Sequence, residues 1–191
     1  MYSKKDYSKI KGMPGFSDKA LDIHFSLYEG YVNNANKIME EIGDYVKEGK
    51  TDSIEYAELK RRFGWEFDGM RLHEYYFGAL RGDGKIDENG RLFKMLEEQF
   101  GSYENFKKDF VSTGKMRGIG WVILYQDPLS GKLLNFWVNE HDAGQPSGLN
   151  LILNMDVFKH AFMVDYGKDK AAYIEAYMKN LDWKEVEKRL K

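Results

Sequence analysis

The 191-residue chain contains no cysteine, which excludes disulfides, thiolate metal sites and thiol catalysis. No apolar run reaches membrane-spanning length, so a transmembrane helix and a membrane partner are not expected. Neither sign of charge dominates. With 29 basic and 31 acidic residues, a net charge of -2 argues against a nucleic-acid partner gripped through a basic face. The opening Met1-Tyr-Ser-Lys-Lys-Asp has no apolar segment after its lysines, unlike a secretory signal. With the lack of cysteine, the expected location is cytoplasmic. Histidine is scarce: only His24, His73, His141 and His160 are present, so each needs an explanation. Aromatic residues, at 15%, are plentiful and spread along the chain.

Residues 1–16 are polar, carry Gly12, Pro14 and Gly15, and read as an extended arm ending in a turn. Ser17 offers an N-cap, and Leu21, His24, Tyr28, Tyr31, Ala35 and Ile38 then recur at helical spacing on one long helix to about Lys47. A short second helix is predicted over 53–63, interrupted at Gly64, with a further segment from Trp65 to about Leu80 antiparallel to the first. Arg81-Gly-Asp-Gly-Lys marks a domain boundary. Two short helices over 86–115 are separated at Gly101-Ser102. Trp121–Tyr125, Leu133–Val138 and Leu149–Met155 read as strands, the first two joined by a hairpin loop at Asp127-Pro-Leu-Ser-Gly, and helices resume from Val157. The expected fold is α+β: an N-terminal antiparallel helical hairpin (1–82), then an α/β domain with a small, about three-stranded antiparallel sheet (83–191).

Asp156 and His160 lie four residues apart at a strand–helix junction, where both side chains can grip one ion. Read alone, the pair is equally an N-cap aspartate beside a buried histidine. His24 and His73 sit on apolar–aromatic faces, and each by itself reads as a core histidine. Together the four suggest more, because a shared metal satisfies several buried imidazoles at once. Three imidazoles and a carboxylate suit a first-row transition metal. Calcium and magnesium prefer oxygen shells, and structural zinc is usually closed by thiolates.

Six segments, in order, resemble motifs of the iron/manganese superoxide dismutase family. They are Tyr31-Val-Asn-Asn-Ala-Asn-Lys, His73-Glu-Tyr-Tyr-Phe-Gly-Ala-Leu, Phe100-Gly-Ser-Tyr-Glu-Asn-Phe-Lys, Gly118-Ile-Gly-Trp121, Asp156-Val-Phe-Lys-His-Ala-Phe and Asn180-Leu-Asp-Trp183. The resemblance implies one iron or manganese ion per subunit, held by His24, His73, Asp156 and His160 between the two domains. It further implies superoxide as substrate, one-electron cycling to oxygen and hydrogen peroxide, and a homodimer. Tyr31 matches the family's site tyrosine at the substrate entrance. His141 falls where the manganese type places a glutamine that bonds the metal-bound solvent. The iron type's glutamine position is Gly69, which leaves room for a group from the other side. A histidine in place of that glutamine is expected to make rate and potential more pH-dependent. The alternative is a metal-binding protein or other mononuclear oxidoreductase on the same fold with little dismutase activity, since fold does not set function.

The chain departs from the family pattern in several places. His24 lies seven residues before Tyr31, one fewer than the pattern, so ungapped alignment puts Ile23 at the ligand position; His24 is kept as the ligand. The signature glutamate is Lys159, which cannot accept the family's bond to the partner's ligand histidine. The tyrosine after His-Ala-aromatic is Met163, and its first-helix histidine partner is replaced by Tyr28. Both polar bridges of the usual dimer are thus missing, and a rebuilt interface is expected. Three tryptophans of the pattern appear as Phe77, Phe158 and Ile123, and Lys170 matches a basic position near the funnel.

Overall fold

Ser17 and Ser53 each open a long helix in the computed structural model, which describes residues 1–191. Their hydroxyls accept from the backbone N–H groups of Ala20 and Tyr56, three residues on, satisfying donors that a helix start leaves free. The helices are α1 (Asp18–Lys47) and α2 (Ile54–Gly78). Cross-contacts run in opposite order along them, with Tyr28 bonded to Glu74, Asn34 to Glu66 and Tyr45 packed on Tyr56, so the pair is an antiparallel hairpin. Gly64 does not interrupt α2, contrary to the sequence reading. A glycine in a helix costs about 1 kcal/mol but keeps its backbone hydrogen bond, and packing along α1 outweighs that cost.

The first 16 residues are more structured than an extended arm. A 3-10 turn spans Ser8–Ile10, and Tyr7, Ile10, Met13 and Phe16 are buried. Tyr7 packs on Phe77, and Phe16 packs on Tyr173. Their spacing of three was the available signal.

Helices α3 (Arg91–Phe100) and α4 (Tyr103–Lys115) are separated at Gly101, which takes a left-handed conformation (φ 79°), and Ser102 caps α4. The strands β1 (Gly120–Gln126), β2 (Leu133–Asn139) and β3 (Asn150–Asp156) form an antiparallel sheet in the order β2-β1-β3. Central β1 is buried throughout and sets Trp121 beside Asp156 on β3. Helices α5 (Lys159–Tyr166), α6 (Lys170–Lys179) and α7 (Trp183–Glu187) complete an α+β fold. No helix is long and apolar enough to cross a membrane.

One hydrophobic core joins the hairpin to the sheet and C-terminal helices, running from Tyr28 and Phe77 through Trp121 to Tyr173 and Trp183. Two tyrosines of α6 fix β3: Tyr173 Oη donates to the Asp156 carbonyl (2.7 Å) and Tyr177 Oη to that of Asn154 (2.6 Å). Arg189 stitches the C-terminus to the same region. Its guanidinium donates to the carbonyls of Ile152 (3.0 Å) and Tyr75 (2.8 Å) and lies over the Tyr75 ring. Replacing Arg189 with Ala strands two part-buried carbonyls, and we expect a loss of about 2–3 kcal/mol in chemical denaturation. A loss below about 0.5 kcal/mol would show that water replaces the guanidinium.

Candidate metal centre

The α1–α2 hairpin and the end of β3 bring four ligand-type atoms together. His24 lies in the second turn of α1, His73 near the end of α2, Asp156 at the end of β3 and His160 in the first turn of α5. Their candidate ligand atoms all lie within 4.8 Å of one another. Nε2 of His24 and of His160 are each 3.1 Å from Asp156 Oδ2, and Nε2 of His73 is 3.6 Å from it. In the regular helix α1, seven residues make nearly two turns, so His24 and Tyr31 share one face. His24 is 3% exposed and Ile23 39%, which places His24 and not Ile23 in the cluster.

Local bonds fix which atoms face inward. Asp156 Oδ1 accepts from the Phe158 backbone N–H (2.8 Å), leaving Oδ2 toward the imidazoles. His73 Nδ1–H donates to the Gly69 carbonyl (2.5 Å), so its Nε2 carries a lone pair. That Nε2 is buried with no hydrogen-bond partner. An orphaned acceptor aimed at two other imidazoles and a carboxylate is explained by a shared cation, and this donor set fits iron or manganese. Burial lowers the His24 pKa and lowers that of His73 well below its ordinary value, keeping both neutral as ligands must be. Burial alone would raise Asp156, but His160 and His24 hold it ionised, well below the usual carboxylate range. Burial opposes charge on His160 too, yet Asp156 raises its pKa.

A chain of donors borders the cluster. Trp121 Nε1–H donates to His141 Nδ1 (3.1 Å). Neutral His141 therefore carries its proton on Nε2, which donates to Tyr31 Oη (2.8 Å). The hydroxyl proton of Tyr31 is then free for another acceptor. Burial, followed by the Asp156 charge, pushes the Tyr31 pKa up, so the phenol keeps that proton. Tyr31 stacks on His73 (5.2 Å between ring centroids), and Phe158 stacks on both His141 and His160. Phe77 packs on His24 and His73, keeping the inner wall apolar. Burial lowers the His141 pKa to about 4, which moves the expected pH dependence of this residue from near neutrality into acid.

Gly69 lets the two helices approach at the tyrosine. A Cβ there would lie 2.6 Å from Tyr31 Cδ1. Gly69→Ala gains helix propensity but forces the Tyr31 ring aside. We expect about a tenfold fall in turnover with a stability change on the order of 1 kcal/mol. Unchanged turnover would show that the ring position is not critical.

All six residues singled out in the sequence thus meet in one place. The other departures from the family pattern lie differently. Lys159 is exposed and Met163 is half exposed on α5. Tyr28 donates within the chain to Glu74 Oε1 (3.1 Å). Lys170 is held by the Met116 carbonyl (2.5 Å) and lies over Trp137, touching none of the cluster. Sequence reasoning missed Trp65, whose ring meets Tyr31 and His141 (5.5 and 4.6 Å). Its four-residue spacing from Gly69, and eight from His73, was the signal.

Comparison with known proteins agrees with the geometry. The family model described as the C-terminal domain of iron/manganese superoxide dismutases matches residues 88–189. The iron superoxide dismutase of Aquifex pyrophilus is 33% identical over 190 residues, covering 97% of this chain and 89% of that protein. That of Cupriavidus metallidurans is 32% identical over 180 residues, covering 93% and 89%. The manganese/iron superoxide dismutase of Aeropyrum pernix is 31% identical over 181 residues, covering 93% and 84%. With whole-chain relatives of this kind and a histidine–aspartate cluster at the junction of hairpin and sheet, the chain belongs to the iron/manganese superoxide dismutase family.

Proposed function

We propose that this chain is a superoxide dismutase that binds one iron or manganese ion through His24, His73, Asp156 and His160, between the 1–82 helical hairpin and the 83–191 α+β domain. The observation that carries the reading is the convergence of three Nε2 atoms on Asp156 Oδ2, with a buried, unpartnered His73 Nε2 among them. The reaction converts two superoxide anions and two protons into one oxygen and one hydrogen peroxide. An iron or manganese ion held there would supply the one-electron exchange between the two superoxide anions.

The chain's own residues bind, orient and move protons. His73 is aimed by the Gly69 carbonyl, Asp156 by the Phe158 N–H, and β3 is held by Tyr173. Tyr31 offers its hydroxyl proton to reduced substrate, the His141 Nε2–H bond to Tyr31 Oη stabilises the phenolate that remains, and a proton from solvent restores the phenol. Phe77, Phe158 and Trp121 surround these groups with apolar surface, which strengthens each hydrogen bond inside. Burial keeps the His141 imidazole neutral, so its bond to Tyr31 is unchanged across neutral pH.

We further propose a homodimer assembled without the family's two polar bridges. Ile23 and Leu27 on α1, and Met163 and Val164 on α5, are exposed apolar residues on two helices that pack together. Superoxide dismutation measured after separate loading with iron and with manganese, matched for bound metal, tests the activity. Fast turnover with at least one metal is expected. Stoichiometric metal with negligible turnover with both would favour a metal-binding protein or other oxidoreductase on this fold.

A further inference from the structure

We infer that Glu140 and Trp65 form a positioning latch that holds His141 in the site. The inference rests on the reading of Tyr31 and His141 as a proton relay. Only two non-glycine residues adopt positive φ, Arg81 and Glu140, and Glu140 (φ 51°) directly precedes His141. That backbone costs a residue with a Cβ on the order of 1 kcal/mol, and glycine would adopt it freely. The glutamate side chain has a use there. Its Oε2 accepts from Trp65 Nε1–H (3.0 Å), tying the loop after β2 to α2.

Both ends of the latch are themselves held. Asn139 and Ala143 exchange backbone bonds (2.9 and 3.2 Å), and the Glu140 N–H donates to the Ile119 carbonyl (3.2 Å). Gln145 Nε2 donates to the His141 carbonyl (2.9 Å). On α2, the Arg62 guanidinium lies 4.2 Å from the Trp65 ring and is anchored by buried Glu66 (2.7 Å). The Trp65 ring packs edge-on against His141 (4.6 Å between ring centroids), and Trp121 donates to His141 Nδ1. Glu140 touches none of the four candidate ligands. Its effect passes through the placement of His141 Nε2 against Tyr31, so it is a positioning residue and not a catalytic one.

Four variants of the iron-loaded protein test the latch: Glu140→Gly, Glu140→Gln, Trp65→Phe and the double variant Trp65→Phe/Glu140→Gly. The glycine variant relieves the backbone and loses the bond. It is expected to melt no lower than the parent, yet to lose about fivefold in kcat and bind azide a few-fold more weakly. Glutamine keeps a carbonyl acceptor and is expected to match the parent. In kcat and azide affinity Trp65→Phe is expected to follow Glu140→Gly, and the double variant to be no worse than either single change, because both remove one bond. Parental kcat and azide affinity in Glu140→Gly would overturn the latch. So would a glutamine variant as impaired as the glycine one, or additive losses in the double variant. If His141→Ala itself turned over normally, the relay reading would fail. If His141→Ala is slow while Glu140→Gly is not, only the latch fails.

Discussion

Asp156→Asn is expected to reduce bound metal to under about a tenth of the parent and to cut turnover by at least about a hundredfold. The change removes the only negative charge among the four candidate ligands. It also reverses a dipole. The Phe158 backbone N–H donates to Asp156 Oδ1, so an asparagine would turn its carbonyl oxygen to that donor. Its NH2 group would then face the Nε2 atoms of His24, His73 and His160, where Oδ2 now points. A donor in that position repels a cation and can satisfy the lone pair of His73 that is otherwise orphaned. The metal-free variant should therefore fold, which makes loss of metal separable from loss of structure. Metal analysis with a thermal melt reads both. Full metal content in a folded Asp156→Asn protein would remove Asp156 from the ligand set.

The second large effect is expected at His141. Changing it to Ala breaks the line from Trp121 through His141 to Tyr31 and opens space beside Phe158. Loss of a placed proton relay costs on the order of a hundredfold in turnover. His141→Gln should recover most of it, because a glutamine carbonyl can accept from Trp121 while its amide donates to Tyr31. The pH dependence follows from burial. The His141 pKa falls from the ordinary 6.5 to about 4. Between those values the unfolded chain takes up a proton that the folded chain refuses, so this residue's contribution to stability is full above about pH 6.5 and lost as pH falls toward 4. Parent and His141→Gln should share one rate profile at neutral pH and separate only below about pH 5. Separation centred near neutrality would mean that His141 is far less shielded than its neighbours imply.

Much of this was legible in the residues because the signals were local. Helical spacing marked α1, serine caps marked helix starts at Ser17 and Ser102, and short bulky β-rich runs joined by a hairpin loop marked the sheet. The four histidines and Asp156 were legible through scarcity and motif order. Tertiary packing hid the rest. Gly64 looks like a break until α1 is laid along α2. The first 16 residues look polar unless the spacing of Tyr7, Ile10, Met13 and Phe16 is noticed. In the sequence His24 is already kept over Ile23, and the regular helix that buries His24 on the side of Tyr31 gives the reason. The Trp65–Glu140 bond joins residues 75 apart in sequence, which no local pattern announces.

The most direct test of the account is an anomalous difference map from crystals of the iron-loaded protein, collected at the iron absorption edge. The expected result is one peak per chain, bounded by Nε2 of His24, His73 and His160 and by Oδ2 of Asp156, with the Tyr31 hydroxyl and His141 alongside. A full-occupancy peak elsewhere, or no peak in protein that carries stoichiometric iron in solution, would contradict it.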